Sequence, residues 1–100
     1  MAKKAATARE RAHMDAVAAI GCLICRRIGT YSPALIHHVR SINGQRITRN
    51  HMLVIPICWR HHSADSPDGF HHGSKPWQAA HGTEAELLEE VRTILLREAS

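Results

Sequence analysis

Apolar positions along the chain first recur at helical spacing. From about Arg9 to Ile20, Met14, Val17 and Ala18 share one face and Arg, Glu and Asp occupy the others, which predicts a helix closed by Gly21 as a left-handed cap. The pattern then shortens. Cys22-Leu-Ile-Cys25 reads as a tight turn with basic Arg26-Arg27 and Gly29 behind it, and Ser32-Pro33 breaks the chain ahead of Ala34–Val39, a β-prone run. Asn43-Gly44 is a strong turn signal. Met52–Ile57 gives a second short strand, closed by Pro56, and Cys58-Trp-Arg-His61-His62 reads as the first turn of a helix. Ser63–Ser74 is loop-rich, and Lys75–Ala80 is predicted as a short helix capped by Ser74 and closed by Gly82. The clearest element comes last. Thr83 and Glu86 form a T-x-x-E capping box, and Leu87, Leu88, Val91, Ile94 and Leu95 draw an apolar stripe, best read as core, through a helix ending near Glu98. Two short strands among helices, without any repeat, define an α+β class.

Length and composition narrow this further. One hundred residues make one small domain with a marginal core. Residues 1–8 are expected as a short basic flexible tail and residues 9–100 as the single domain. Tyr31, Trp59, Phe70 and Trp77 are the whole aromatic supply, so such a core would gain from a disulfide or metal staple. The formal net charge of +4 is uneven: residues 1–64 hold ten Lys/Arg against two acids, and residues 65–100 hold three against seven. A basic two-thirds suggests an anionic partner such as nucleic acid. Three cysteines form an odd set and no apolar leader precedes them, which argues against a disulfide framework and for metal binding in a reducing, cytoplasmic compartment. The longest apolar stretches, Val17–Cys25 and Met52–Trp59, are far too short to cross a bilayer, so no membrane partner is expected.

Cys22-x-x-Cys25 and Cys58-x-x-His61 read as two halves of one tetrahedral site. A two-residue spacer lets both side chains of each half reach a single ion, and the 32-residue gap makes that ion a staple across the fold. Zn²⁺ is the natural occupant of a thiolate-rich site. The bland alternative is three buried free cysteines beside an exposed His61. A C-x-x-C redox motif would need a thioredoxin-like βαβ pattern, which the sequence does not offer.

Nine histidines make the loudest signal. His61 and His62 are adjacent on a predicted helix and point about 100° apart, so they can hardly share one ion. If His61 closes the knuckle, His62 is aimed elsewhere. His37-His38 and His71-His72 supply further imidazoles, whereas His13, His51 and His81 carry no reading beyond solvated or core-satisfied rings. A histidine pair on a strand facing a histidine at a helix start is the layout of a ββα-metal nuclease site. Phosphodiester hydrolysis needs a divalent ion and a base with a pKa near neutrality. Adjacent residues on a regular strand face opposite sides, so His37 and His38 serve one site only if the strand bends or ends there. Arg40, Arg46 and Arg49 are candidate phosphate contacts, with a plain solvated face as the alternative.

The order C-x-x-C, Ile36-His37-His38-Val39, Ile55-Pro56-Ile57-Cys58-x-x-His61-His62, His72-Gly73 and then Ala80–Leu88 opening the last helix resembles the HNH (His-Me finger, ββα-metal) nucleases. More narrowly it resembles the Ref-type, RecA-dependent nucleases of phages and prophages, over about Ala12 to Leu96. The resemblance implies a zinc-stabilised ββα-metal core with flanking N- and C-terminal helices, and a DNA endonuclease active in phage or prophage recombination or DNA processing. It implies His38 as general base and Asn50 as the residue that orients it, with Asn43 the weaker candidate. His37, His62 and His72 become ligands of a catalytic Mg²⁺ or Mn²⁺, and Cys22, Cys25, Cys58 and His61 remain the structural zinc ligands. The member that depends on RecA filaments carries a long basic N-terminal extension, against about eight residues here, so the resemblance extends to the nuclease core and not to a RecA partner. The rival readings are a non-catalytic zinc-stabilised DNA-binding module and a zinc-stabilised protein-interaction adaptor.

Overall fold

The structure, a computed structural model, describes residues 5–98. Helix α1 (Ala8–Ala19) starts one residue earlier than the apolar pattern predicts, because Thr7 and Glu10 make their own capping box. The Thr7 hydroxyl accepts the Glu10 N–H at 3.1 Å and the Glu10 carboxylate accepts the Thr7 N–H at 2.8 Å, satisfying two of the donors a helix start leaves open. Gly21 follows with φ +80, and a β-carbon there would stand 2.6 Å from the Tyr31 ring.

The first cysteine pair is not in a tight turn, as expected, but on a helical one. Cys22 is the N-cap of α2 (Leu23–Arg27), and the Arg26 N–H bonds the Cys22 carbonyl at 2.9 Å. Strand β1 (Leu35–His38) is shorter than the predicted Ala34–Val39 and ends at His38. It pairs antiparallel with β4 (Val54–Ile57), setting His37 opposite Ile55 and His38 opposite Val54. Pro56 does not close β4; it lies inside the strand opposite Ile36. A two-stranded sheet leaves each strand with an open edge, where the missing N–H of a proline costs no ladder bond.

Between these strands, β2 (Ser41–Ile42) and β3 (Gln45–Arg46) form a separate hairpin. Its turn residues Asn43 and Gly44 have φ 50 and 82, the positive values a tight hairpin turn requires. Helix α3 (Trp59–His62) is a single turn leaving β4 at Cys58. Helix α4 (Ser74–His81) takes Gly73, and not the expected Ser74, as its N-cap. Helix α5 (Glu84–Glu98) keeps its predicted capping box, with Thr83 N–H to Glu86 Oε1 at 2.9 Å and Glu86 N–H to Thr83 Oγ1 at 3.2 Å.

Every residue of β4 is buried, and α1, α2 and α5 all pack against it. Val17, Leu23, Phe70, Trp77, Leu87, Val91 and Ile94 are among the residues that join it in the core. The α5 stripe is therefore core, as its spacing predicts. Leu87→Ala is expected to cost about 2–5 kcal/mol, read as a lower urea midpoint at unchanged slope, because the void would open beneath buried elements that cannot collapse into it. Among the described residues no helix is long and apolar enough to cross a membrane.

Candidate metal centres and a basic face

Both halves of the cysteine site are built alike. Cys22 caps α2 with Cys25 one turn later, and Cys58 caps α3 with His61 one turn later, so each pair occupies positions i and i+3 on one helical face. All four side chains are buried. The Cys25 and Cys58 sulfurs stand 3.8 Å apart, and His61 Nδ1 lies 3.6 Å from Cys22 Sγ, 3.8 Å from Cys25 Sγ and 3.1 Å from Cys58 Sγ. Tetrahedral zinc with bonds of about 2.3 Å to sulfur puts neighbouring ligand atoms about 3.6–3.8 Å apart, so three of these edges already have the required length. Burial pushes the Cys22 thiol up to about 11, against backbone N–H groups of Cys25 and Cys58 that favour its thiolate. A bound cation would offset that burial. The donor set could hold a metal such as zinc.

His62, the next residue, turns away from this cluster. Its Nε2 lies 3.1 Å from His71 Nε2, and the His37 ring is centred 5.2 Å from that of His62 and 5.4 Å from that of His71. The three imidazoles form a second group, close enough together to hold one metal ion. The backbone of 63–71 folds back on α3 to create it: Phe70 N–H bonds the His61 carbonyl at 2.9 Å and His71 N–H bonds that of His62 at 3.1 Å. Gly69 permits this return, since a β-carbon there would lie 1.9 Å from the Ser63 carbonyl oxygen. His72, expected from the resemblance as a ligand, is not in the group. Its Nδ1–H donates to the Ala64 carbonyl at 3.1 Å, and His71 occupies the place instead. The loop backbone, and not the sequence pair, selects which of the two rings faces His62.

Burial, followed by the proximity of His37 and His71, pulls His62 down to about 4. His71 is lowered for the same first reason and by His37. Rings held neutral in this way keep their lone pairs for a cation. His37 itself is buried against Phe70, with Nε2 bonded to Glu84 Oε2 at 2.9 Å.

His38 is the last residue of β1, so the strand ends at the histidine pair, and its ring does not enter the trio. Its Nε2 lies 3.0 Å from His51 Nδ1. Burial, then Arg49, His51 and His37, lowers the His38 pKa and keeps the ring unprotonated near neutrality. Asn50 makes no hydrogen bond to His38. Its Oδ1 accepts the Met52 N–H at 2.8 Å and its carbonyl accepts the Leu53 N–H at 3.0 Å, which fixes the turn that carries His51.

The expected phosphate contacts do converge. His38, Arg40, Arg46 and Arg49 line one shallow cavity of about 200 Å³, and Arg40 and Arg46 also border its neighbour beside the hairpin. Among the described residues none of these three guanidinium groups has a carboxylate partner, whereas Arg26, Arg27, Arg60 and Arg92 are each ion-paired. Unpaired guanidinium groups around a concavity suit an anion.

Sequence reasoning missed two residues of this arrangement and left a third open. Glu84 left a signal: it falls three residues before Leu87 and seven before Val91, so it continues the apolar stripe of α5 as a lone carboxylate. His51 left none, and His71 was indistinguishable from His72.

Among curated proteins no relative matches this chain. The family model described as recombination enhancement, RecA-dependent nuclease matches residues 6–95, running from the segment before α1 almost to the end of α5 and taking in both metal-type clusters. That description restores the link to RecA that the short N-terminal segment had set aside. With nine-tenths of its length matched, the chain belongs to the RecA-dependent nuclease family of recombination enhancement.

Proposed function

We propose that this nuclease is a metal-dependent DNA endonuclease of the HNH type, with β1, β4 and α3 as its ββα-metal unit. His37, His62 and His71 would hold one Mg²⁺ or Mn²⁺, and Cys22, Cys25, Cys58 and His61 a structural Zn²⁺. The separation of His61 and His62 into two different clusters carries this reading. A purely structural zinc site has no use for a second group of imidazoles one residue away.

A divalent ion in such a site stabilises the charge that develops on the phosphate and the leaving oxygen. The protein's own groups would do the rest. Arg40, Arg46 and Arg49 grip the strand at its phosphates. With its Nε2–H given to His51 Nδ1, 3.0 Å away, His38 would keep its Nδ1 lone pair to take a proton from the attacking water. Asn50 keeps His51 in place through its turn. The substrate would be DNA, and the family's link to RecA and to recombination supports a recombining strand as its target.

The test is plasmid cleavage by the pure protein with Mg²⁺ or Mn²⁺ and with EDTA, alongside elemental analysis. One tightly held zinc, a second exchangeable ion and EDTA-sensitive nicking are expected. One zinc, no second ion and no cleavage would mean a DNA-binding module. A finer comparison separates the adjacent histidines: His71→Ala loses most metal-dependent cleavage, and His72→Ala retains it.

A further inference from the structure

Glu84 is the least explained residue beside the proposed site. It is 2% exposed and sits at the start of α5, one residue after the capping threonine, outside both metal-type clusters. A buried carboxylate is costly unless hydrogen-bonded. One oxygen, Oε2, accepts both His37 Nε2–H at 2.9 Å and the Arg40 backbone N–H at 2.7 Å. Burial works to raise its pKa; the bonds from His37, Arg40 and the Ser41 backbone outweigh it and hold the group ionised.

These partners belong to different parts of the machinery. His37 is a proposed ligand of the exchangeable ion, while Arg40 and Ser41 lead into the β2–β3 hairpin and line its basic cavities. We infer that Glu84 is a positioning residue that joins the two. By accepting from Nε2, it fixes the His37 tautomer with Nδ1 unprotonated and free for a cation, the arrangement a carboxylate imposes on ligand histidines. By accepting from Arg40 N–H, it anchors the strand end from which the basic hairpin projects. One oxygen thus sets the metal pocket and the phosphate grip in a common register. The inference rests on the functional reading above for the identity of the two parts.

Three measurements on the zinc-loaded protein test it: Mn²⁺ affinity by calorimetry, the His37 tautomer by long-range ¹⁵N–¹H correlation in Mn²⁺-free buffer, and duplex affinity in the same buffer. Glu84→Ala is expected to weaken Mn²⁺ binding about 10- to 100-fold, to turn His37 into a mixture of tautomers and to lower duplex affinity. In Glu84→Gln the amide oxygen accepts both hydrogens, so tautomer and duplex affinity return towards wild type. Should Glu84→Ala fail to fold, Glu84→Met fills the same volume without a strong acceptor and carries the same expectations. An unchanged His37 tautomer together with unchanged Mn²⁺ and duplex affinities in the Ala or Met variant overturns the inference, as does a Gln variant that restores nothing. Absence of DNA cleavage by the wild-type protein would instead remove the nuclease reading and leave the tautomer and duplex measurements to judge Glu84.

Discussion

His38→Ala is expected to nick plasmid DNA about 100- to 10,000-fold more slowly than the wild-type protein, the usual worth of a positioned general base. The fold should survive the change. His38 is half-buried at the end of β1, and its ring bonds His51 and takes no part in the cysteine cluster. Zinc content, Mn²⁺ affinity and duplex binding are therefore expected to stay near wild type while the cleavage rate under single-turnover conditions collapses. An unchanged nicking rate would move the base elsewhere, with His51 the nearest other imidazole. His51→Ala is a milder lesion on the same reading, since it frees the His38 ring without removing it.

Cys58→Ser should be lost as a folded protein. A structural zinc in a small domain contributes on the order of 10 kcal/mol, as much as the entire stability of most domains, which is about 5–15 kcal/mol. Cys58 stands between the buried strand β4 and the single turn α3, so its loss releases both the cluster and the turn that carries His62. Far-ultraviolet circular dichroism and elemental analysis are expected to show a largely unfolded chain without bound zinc. His62→Ala makes the contrast. It keeps one zinc and a native spectrum and loses Mn²⁺ binding, although it alters the very next residue to His61. If both variants unfolded alike, or both stayed folded with zinc in place, the division of labour across residues 61 and 62 would be wrong.

Much of this arrangement was legible in the chain, and for identifiable reasons. The 3.6-residue stripe of α5 and its Thr83–Glu86 box are strictly local signals, and both hold. The divergence of His61 and His62 follows from helix geometry alone, so a four-residue helix was enough to send them to separate clusters. Other features depend on how distant backbones meet. Pro56 looks like a strand terminator until the sheet proves to have only two strands, whose open edges tolerate it. The choice of His71 over His72 is made by two main-chain bonds from the returning loop to α3, which no side-chain pattern announces. His38 meets His51 because an Asn50-centred turn lies against the end of β1, thirteen residues away in the chain. Glu84 was hidden differently: its charge places it on a solvated face by habit, and only its phase along the helix contradicts that.

Gly69 fixes a length as well as a contact. With its backbone pressed against that of Ser63, residues 64–68 close a ring of set circumference, and the step from 69 to 71 then delivers one imidazole to His62. The connection works as a gauge. A single inserted or deleted residue within it would present His72, or the Phe70 side chain, where a third imidazole now stands. Chain-length variation among kindred sequences is therefore expected at the Asn43-Gly44 hairpin, whose Gly44 would meet nothing within 4 Å on gaining a side chain, and not inside this ring.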